Sequence, residues 1–138
     1  MARLVIPAAL LVVLAVFGLQ CRRSASSSPN ILTGKLIIAD GCSQFAVQII
    51  DGSFNPSQVV ASWKNPDDDS VYTNVFRLTA VKGACAISYY GVSKGDIFQF
   101  QIDPDPQNQT CFVCDVLVAI SLPSVSDAIM NVKKISNN

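Results

Sequence analysis

Hydrophobic residues after Thr33 occur in short runs that are separated by turn residues. The first two runs are KLIIA at 35–39 and FAVQII at 45–50, and each is followed by an Asp-Gly pair. Asp-Gly between apolar runs is a strong hairpin signal, because glycine readily takes the positive φ that tight turns require. The pattern therefore predicts a β-hairpin at the start of the domain, with Cys42 beside its turn.

Two later segments alternate between apolar and polar positions with the period of a β-strand. The longer is VYTNVFRLTAV at 71–81. The more regular is DIFQFQI at 96–102, whose aromatic residues share one face while Gln99 and Gln101 share the other. Further strands are predicted from apolar runs at 58–63, 84–90 and 111–122.

Composition supports the same fold class. The chain has no glutamate, and strong helix formers are few after the N-terminal segment. Val, Ile, Phe, Thr and Tyr are common instead, and they suit a pleated, half-buried surface. These features predict an all-β fold, an antiparallel β-sandwich or barrel-like domain of about seven strands.

The C-terminal segment 124–135 is compatible with two structures. Val125, Ile129, Val132 and Ile135 have helical spacing, and two lysines lie near the end of the segment. An edge β-strand accommodates the same residues. The sequence therefore leaves a short C-terminal helix and an edge strand open.

The N-terminus has the pattern of a secretory signal peptide. Arg3 precedes an apolar run at 4–19, which contains Pro7 and is followed by polar residues and two arginines. This run is shorter than the ~20 apolar residues that a membrane-spanning helix needs. We therefore expect a secreted, extracellular protein without a membrane span in the mature chain. Its expected parts are a signal peptide at 1–21, a polar linker at 22–32 and a single domain at 33–138.

The number of cysteines in the mature chain depends on where the signal peptide is cut. Cleavage after Gly18 leaves five, whereas cleavage after Cys21 leaves four, an even number that suits an oxidised secreted domain. The remaining four are Cys42, Cys85, Cys111 and Cys114. We expect structural disulfides, because a redox Cys-x-x-Cys pair needs a helix start and a zinc site would need all four scattered cysteines.

Four cysteines allow three pairings. If the predicted strands turn Cys85 and Cys114 toward the core, the bridges are Cys85–Cys114 and Cys42–Cys111, which is the pairing that we favour. The alternative is a local Cys111–Cys114 bridge together with Cys42–Cys85.

Two polar segments are candidate modification or metal sites. Asn108 begins the sequon Asn-Gln-Thr in a proline-rich loop, where a glycan can attach. The consecutive Asp67, Asp68 and Asp69 are candidate calcium ligands, because Ca²⁺ takes about six to eight oxygen ligands. The same residues are also good turn formers.

Aromatic residues offer a candidate binding surface. Alternation in the run 84–90 turns Tyr89 inward and Tyr90 outward, so Tyr90 is the candidate binding residue. Trp63, Tyr72, Tyr89 and Tyr90 would form an aromatic platform for sugars, although aromatic residues also fill the cores of β-sandwiches.

The charge balance and the lack of histidine reduce the number of functions that the sequence allows. Ten Lys and Arg residues balance ten acidic residues, and the basic patch that nucleic-acid binding requires is missing. The chain has no histidine, which removes Ser-His-Asp and Cys-His arrangements and the usual proton shuttle. We therefore predict no enzymatic activity, no cofactor and no nucleic-acid partner.

These features together predict a secreted, disulfide-bonded glycoprotein that binds rather than catalyses. It would be a structural or interaction component of an extracellular matrix, coat or secretion, with an extracellular protein or polysaccharide as partner. One alternative is a soluble effector such as a toxin, inhibitor or immune-evasion protein. Another is a carrier with an apolar cavity for a small ligand.

Overall fold

The computed structural model describes residues 30–40, 44–106 and 121–136. Within these ranges one mixed β-sheet contains six strands and is accompanied by two 3₁₀ turns, Pro56–Gln58 and Ile87–Tyr90. The strands are β1 (Leu32–Asp40), β2 (Gln44–Asp51), β3 (Val60–Lys64), β4 (Val71–Val81), β5 (Ile97–Ile102) and β6 (Ser126–Ser136). The hairpin predicted from the first two runs is present, since β1 and β2 pair antiparallel and meet at the Asp40–Gln44 pair.

The sheet closes into a five-stranded barrel. Its order is β2-β1-β5-β6-β4, and β4 pairs with β2 to complete the ring, while β3 is an extra strand attached to β4. The pairing of β4 with β6 is parallel and the others are antiparallel.

The all-β prediction is confirmed, whereas the antiparallel sandwich of about seven strands is wrong. The described residues form six strands and a closed mixed barrel. Alternation within a strand determines which side chains face inward, but it does not determine which strand pairs with which. Closure depends on the pairing of Phe45–Gln48 with Val75–Leu78, residues that are far apart in the chain.

A cluster of phenylalanines fills the barrel. Phe76, Phe98 and Phe100 have no exposed surface, and the ring centroid of Phe100 lies 5.9 Å from that of Phe76 and 5.3 Å from that of Phe98. Aliphatic side chains from β1, β2 and β6 complete the core. The inward face predicted for β5 is therefore confirmed.

Glycine is required where β1 passes over this cluster. A Cβ atom at Gly34 would lie 2.7 Å from the Phe100 ring and 2.9 Å from a Val47 methyl group. The close approach of β1 to the core therefore depends on the missing side chain.

The C-terminal helix considered for 124–135 is wrong, because this segment is strand β6. The strand is not at an edge either, since β5 and β4 pair with its two sides. Hydrogen bonding to two neighbours outweighs the helical spacing of four apolar residues, as tertiary context often does. Ile129 is buried in the core, whereas Ile135 is exposed.

The strand predicted at 84–90 is also wrong. Ala84 forms only an isolated bridge with Val81, and the chain then enters the 3₁₀ turn Ile87–Tyr90, which ends at Gly91 with a positive φ of 68°. The buried side chain of Ile87 contacts the barrel core. Side chains that would alternate along a strand point in other directions in this turn and in the bend before it. The orientations predicted for Cys85, Tyr89 and Tyr90 therefore change.

Some predictions fall on residues that the structure does not describe. These are the signal peptide, most of the linker, the strand within 111–120, and the sites Cys42, Asn108, Cys111 and Cys114. Strand β1 begins at Leu32, the last residue of the predicted linker. In the described ranges, we find no helix with the length and apolar character needed to cross a membrane.

Candidate ligand-binding groove

A groove lies where the chain enters the barrel, across β5 and β6. It consists of two adjoining depressions of about 390 Å³ and 360 Å³, which share Gln101 in their walls. Five of its side chains carry amides, and we call it the amide groove. The amides are Asn30, Gln58, Gln99, Gln101 and Asn131, and the exposed or half-buried apolar members are Ile31, Phe54, Ile102, Pro104 and Met130.

Gln101 is the central residue of the amide groove. It faces away from the phenylalanine core, yet only 7% of its surface is exposed. Its Oε1 accepts a hydrogen bond of 2.6 Å from Nδ2 of Asn131. Its Nε2 makes no hydrogen bond within the described part of the chain. Nε2 is not one of the completely buried side-chain atoms that lack a partner, so its N–H groups still reach solvent and could donate to a ligand in the groove.

A β-bulge places Asn131 over Gln101. The pairing of β5 with β6 shifts between Gln99–Lys133 and Gln101–Met130, which leaves an extra residue on β6. Asn131 has a φ of 55°, a left-handed conformation that asparagine tolerates better than most residues. Bulges and such conformations are frequent next to binding sites, where they redirect a side chain.

Two of the other amides, Asn30 and Gln58, are held by local hydrogen bonds. Asn30 donates from its Nδ2 to the carbonyl of Ser53, which ties the chain entrance to the turn after β2. Gln58 accepts at Oε1 from the backbone N–H of Asn55, as part of a capping box on the first 3₁₀ turn. These two amide groups are therefore held in place at the groove, and an amide side chain can both donate and accept hydrogen bonds.

Charge is nearly missing from the lining of the groove. Lys133 is the single ionisable side chain among its described residues, and none of these is a carboxylate. The described lining can therefore hydrogen-bond an uncharged ligand through its amide groups.

The candidate binding residue Tyr90 is not the exposed member of its pair. Its ring packs against the core and its hydroxyl donates to the carbonyl of Lys82. Tyr89 is exposed over 78% of its surface and meets Tyr90 edge to face. The predicted orientations are reversed, because the 3₁₀ turn replaces the expected strand.

Trp63 and Tyr72 are neighbours elsewhere on the molecule. They face each other across β3 and β4, with ring centroids 6.4 Å apart, and both pack against a second apolar cluster. Partial burial and the charge of Asp68 raise the pKa of Tyr72. The predicted aromatic platform is thus divided into two separate pairs.

The three aspartates form a turn between β3 and β4. Asp68 accepts from the backbone N–H of Ser70, the main cause of its lowered pKa, and from the hydroxyl of Tyr72. Asp69 forms an ion pair of 2.6 Å with Lys64. No group of three or more metal-ligating side chains occurs among the described residues, so the calcium site stays a prediction without a described cluster.

Cys85 lies on the surface rather than in the core. It is exposed, in the bend that precedes the second 3₁₀ turn, so the core-facing orientation behind the favoured Cys85–Cys114 bridge is wrong. Cys85 is not a free thiol. Because the other cysteines lie outside the described residues, the pairing itself stays a prediction.

Two acidic groups that the sequence pattern did not single out have unusual surroundings. Asp96 is buried, accepts from the N–H of Ser93 and forms an ion pair of 2.6 Å with Lys134, which fixes the loop before β5 to β6. Asp127, at the start of β6, has a buried Oδ2 without a hydrogen-bond partner. Burial raises the pKa of its carboxyl group.

Asp127→Asn is expected to raise the melting temperature relative to the wild type more at pH 7 than at pH 3. A folded-state pKa above the ordinary value means that the aspartate contributes most stability below that ordinary value. This contribution is lost as the pH rises through the raised pKa. Asparagine does not titrate. Thermal unfolding of both proteins at the two pH values checks this, and an equal difference at both would contradict it.

Part of the amide groove is visible in the sequence. The alternation of DIFQFQI places Gln99 and Gln101 on the outward face of β5. The contribution of Asn131 has no comparable signal, because it depends on a bulge within a segment that also had helical spacing. Asn30 lies in the segment expected to be linker.

Comparison of the chain with protein-family models, curated proteins and solved structures gives no match.

Proposed function

We propose that this is a secreted, non-enzymatic binding protein that acts as a structural or interaction component of an extracellular matrix, coat or secretion. The observation that carries the proposal is the amide groove, with the buried amide of Gln101 at its centre. The signal-peptide pattern and the cysteines of the sequence support the extracellular location.

The filled barrel favours binding at the surface over transport of a ligand inside. About eight strands give a barrel wide enough to hold one small ligand, whereas this barrel has five. Its centre is occupied by three fully buried phenylalanine rings. These features argue against the apolar carrier considered from the sequence.

The composition of the groove favours binding over catalysis. Hydrolytic sites need a nucleophile or a carboxylate with a suitably placed acid or base. The described lining offers amides, apolar side chains and one lysine, and the chain contains no histidine.

A retention experiment tests the proposal. Purified mature protein is added to the insoluble extracellular material of the source, which is then extracted with buffer, chelator and denaturant in turn. We expect the wild type to be recovered in the chelator or denaturant fraction. Gln101→Met, which keeps the side-chain volume but removes the amide, should move to the buffer fraction.

The matched control is Gln48→Met, the same substitution at a half-buried glutamine on β2 that does not line the groove. It should be retained like the wild type. Recovery of the wild type in plain buffer would contradict the proposal and support the soluble effector. Equal retention of Gln101→Met would show that the amide groove is not the binding surface.

A further inference from the structure

We infer that the ligand of the amide groove is an uncharged polysaccharide, bound through its hydroxyl groups and through the apolar faces of its sugar rings. This inference rests on the proposed function and names the class of ligand for the same site. The juxtaposition that carries it is the buried Gln101 in the shared wall of two depressions that are lined by both amide and apolar side chains.

Hydroxyl groups match the hydrogen-bonding groups of this surface. A sugar hydroxyl both donates and accepts, and each amide side chain presents donors and an acceptor. Gln101 already accepts from Asn131, so its remaining N–H groups can donate to a sugar oxygen. A fixed, nearly buried donor loses little conformational entropy when it binds.

Apolar side chains beside the amides suit the C–H faces of sugar rings. Phe54 and Met130 are half-buried in the wall of the larger depression, and Ile31 is exposed over 54% of its surface in the smaller one. Ligand sites combine apolar walls with a few placed polar groups in this way. Because the two depressions meet at Gln101, the groove suits successive sugar units better than one monosaccharide.

Charge and backbone pairing make other polymers poorer fits. An anionic glycan or nucleic acid needs several cations, and the described lining has Lys133 alone. A peptide that adds to a sheet needs an unpaired strand edge. Across the groove, β5 and β6 are paired with each other at Gln99–Lys133 and Gln101–Met130, so side chains provide most of the recognition.

Binding to defined polymers tests the inference. Purified mature protein is sedimented with cellulose, chitin or an insoluble β-1,3-glucan, and separately with polygalacturonate–agarose, heparin–agarose and agarose coupled to unfolded casein. We expect saturable binding to at least one neutral polysaccharide. This binding should be unchanged in 0.5 M salt. Salt at this concentration limits the range of interactions between exposed charges to roughly 3–8 Å, but it does not screen hydrogen bonds between neutral groups.

The variants assign the binding to this groove. Gln101→Met should weaken binding about tenfold, the effect of losing one well-made hydrogen bond. Asn131→Gly should also weaken it, because glycine keeps the left-handed backbone but removes the amide that fixes Gln101. The control Gln48→Met, at a residue outside the groove lining, should bind like the wild type. Circular dichroism spectra and melting temperatures confirm that each variant is folded.

Three results would overturn the inference. Failure to bind any neutral polysaccharide would do so, as would binding confined to the acidic polymers and lost in 0.5 M salt. Binding to casein alone would assign the groove to a polypeptide partner. In each case, retention of the wild type and release of Gln101→Met in the extraction experiment would leave the proposed function standing, so the two failures are distinguishable.

Discussion

Replacement of Phe100 by alanine is expected to lower the free energy of unfolding by about 3–5 kcal/mol. Phe100 is fully buried, its ring contacts those of Phe76 and Phe98, and its backbone pairs with Leu32 on β1. Truncation would remove the transfer free energy of the ring and leave a cavity that the closed barrel cannot collapse to fill. A small domain has only about 5–15 kcal/mol of stability, so much of the folded population would be lost.

Urea denaturation with the disulfides intact measures this loss. Tyr89→Ala is the matched control, because it removes an aromatic ring of similar size from a residue that is 78% exposed, and it should change stability by no more than about 0.5 kcal/mol. A loss below about 1 kcal/mol for Phe100→Ala would show that the phenylalanine cluster does not hold the barrel together.

The same cluster shows how far the sequence determines this fold. Alternation along β5 predicts that Phe98 and Phe100 face inward, because a strand of that period has one apolar side wherever it lies. The pairing of β4 with β6, by contrast, joins Arg77–Val81 to Ser126–Ile129. That contact depends on segments about 50 residues apart, and no local pattern encodes it.

The strand prediction for residues 84–90 is wrong for a related reason. Its apolar residues suit a strand, but Gly91 adopts the left-handed conformation that ends a 3₁₀ turn, and Ile87 is buried against the barrel. The orientations predicted for Tyr89 and Tyr90 are wrong for the same reason. In the amide groove, alternation predicts that Gln101 faces outward, but it predicts neither the near-complete burial of Gln101 nor the β6 bulge at Asn131, whose side chain hydrogen-bonds to it.

The direction of β2 and β4 now favours one disulfide pairing. These strands are antiparallel, with Gln48 opposite Val75 and Phe45 opposite Leu78. The register therefore approaches the end of β4 as β2 is followed back toward its first residue, Gln44. Cys42 is two residues before Gln44, and Cys85 follows the Val81–Ala84 bridge that closes the turn after β4. We therefore expect a Cys42–Cys85 bridge together with a local Cys111–Cys114 bridge.

Tryptic digestion without reduction distinguishes the pairings by mass. Lysines and arginines place Cys42 in peptide 36–64, Cys85 in peptide 83–94, and both Cys111 and Cys114 in peptide 95–133. The expected product is 36–64 joined to 83–94, with 95–133 two hydrogens lighter than its reduced form. A product that joins 83–94 to 95–133 would contradict the pairing.

Cys85→Ser is expected to lower the free energy of unfolding by about 2–4 kcal/mol, the usual contribution of a disulfide. Cys42→Ser should cost a similar amount, and the double variant should cost little more than either, because both substitutions remove the same bond. Additive losses would mean that the two cysteines belong to different bridges. Since Cys85 lies on the surface, the loss would come from the greater freedom of the unfolded chain rather than from a cavity, which separates this substitution from Phe100→Ala in mechanism.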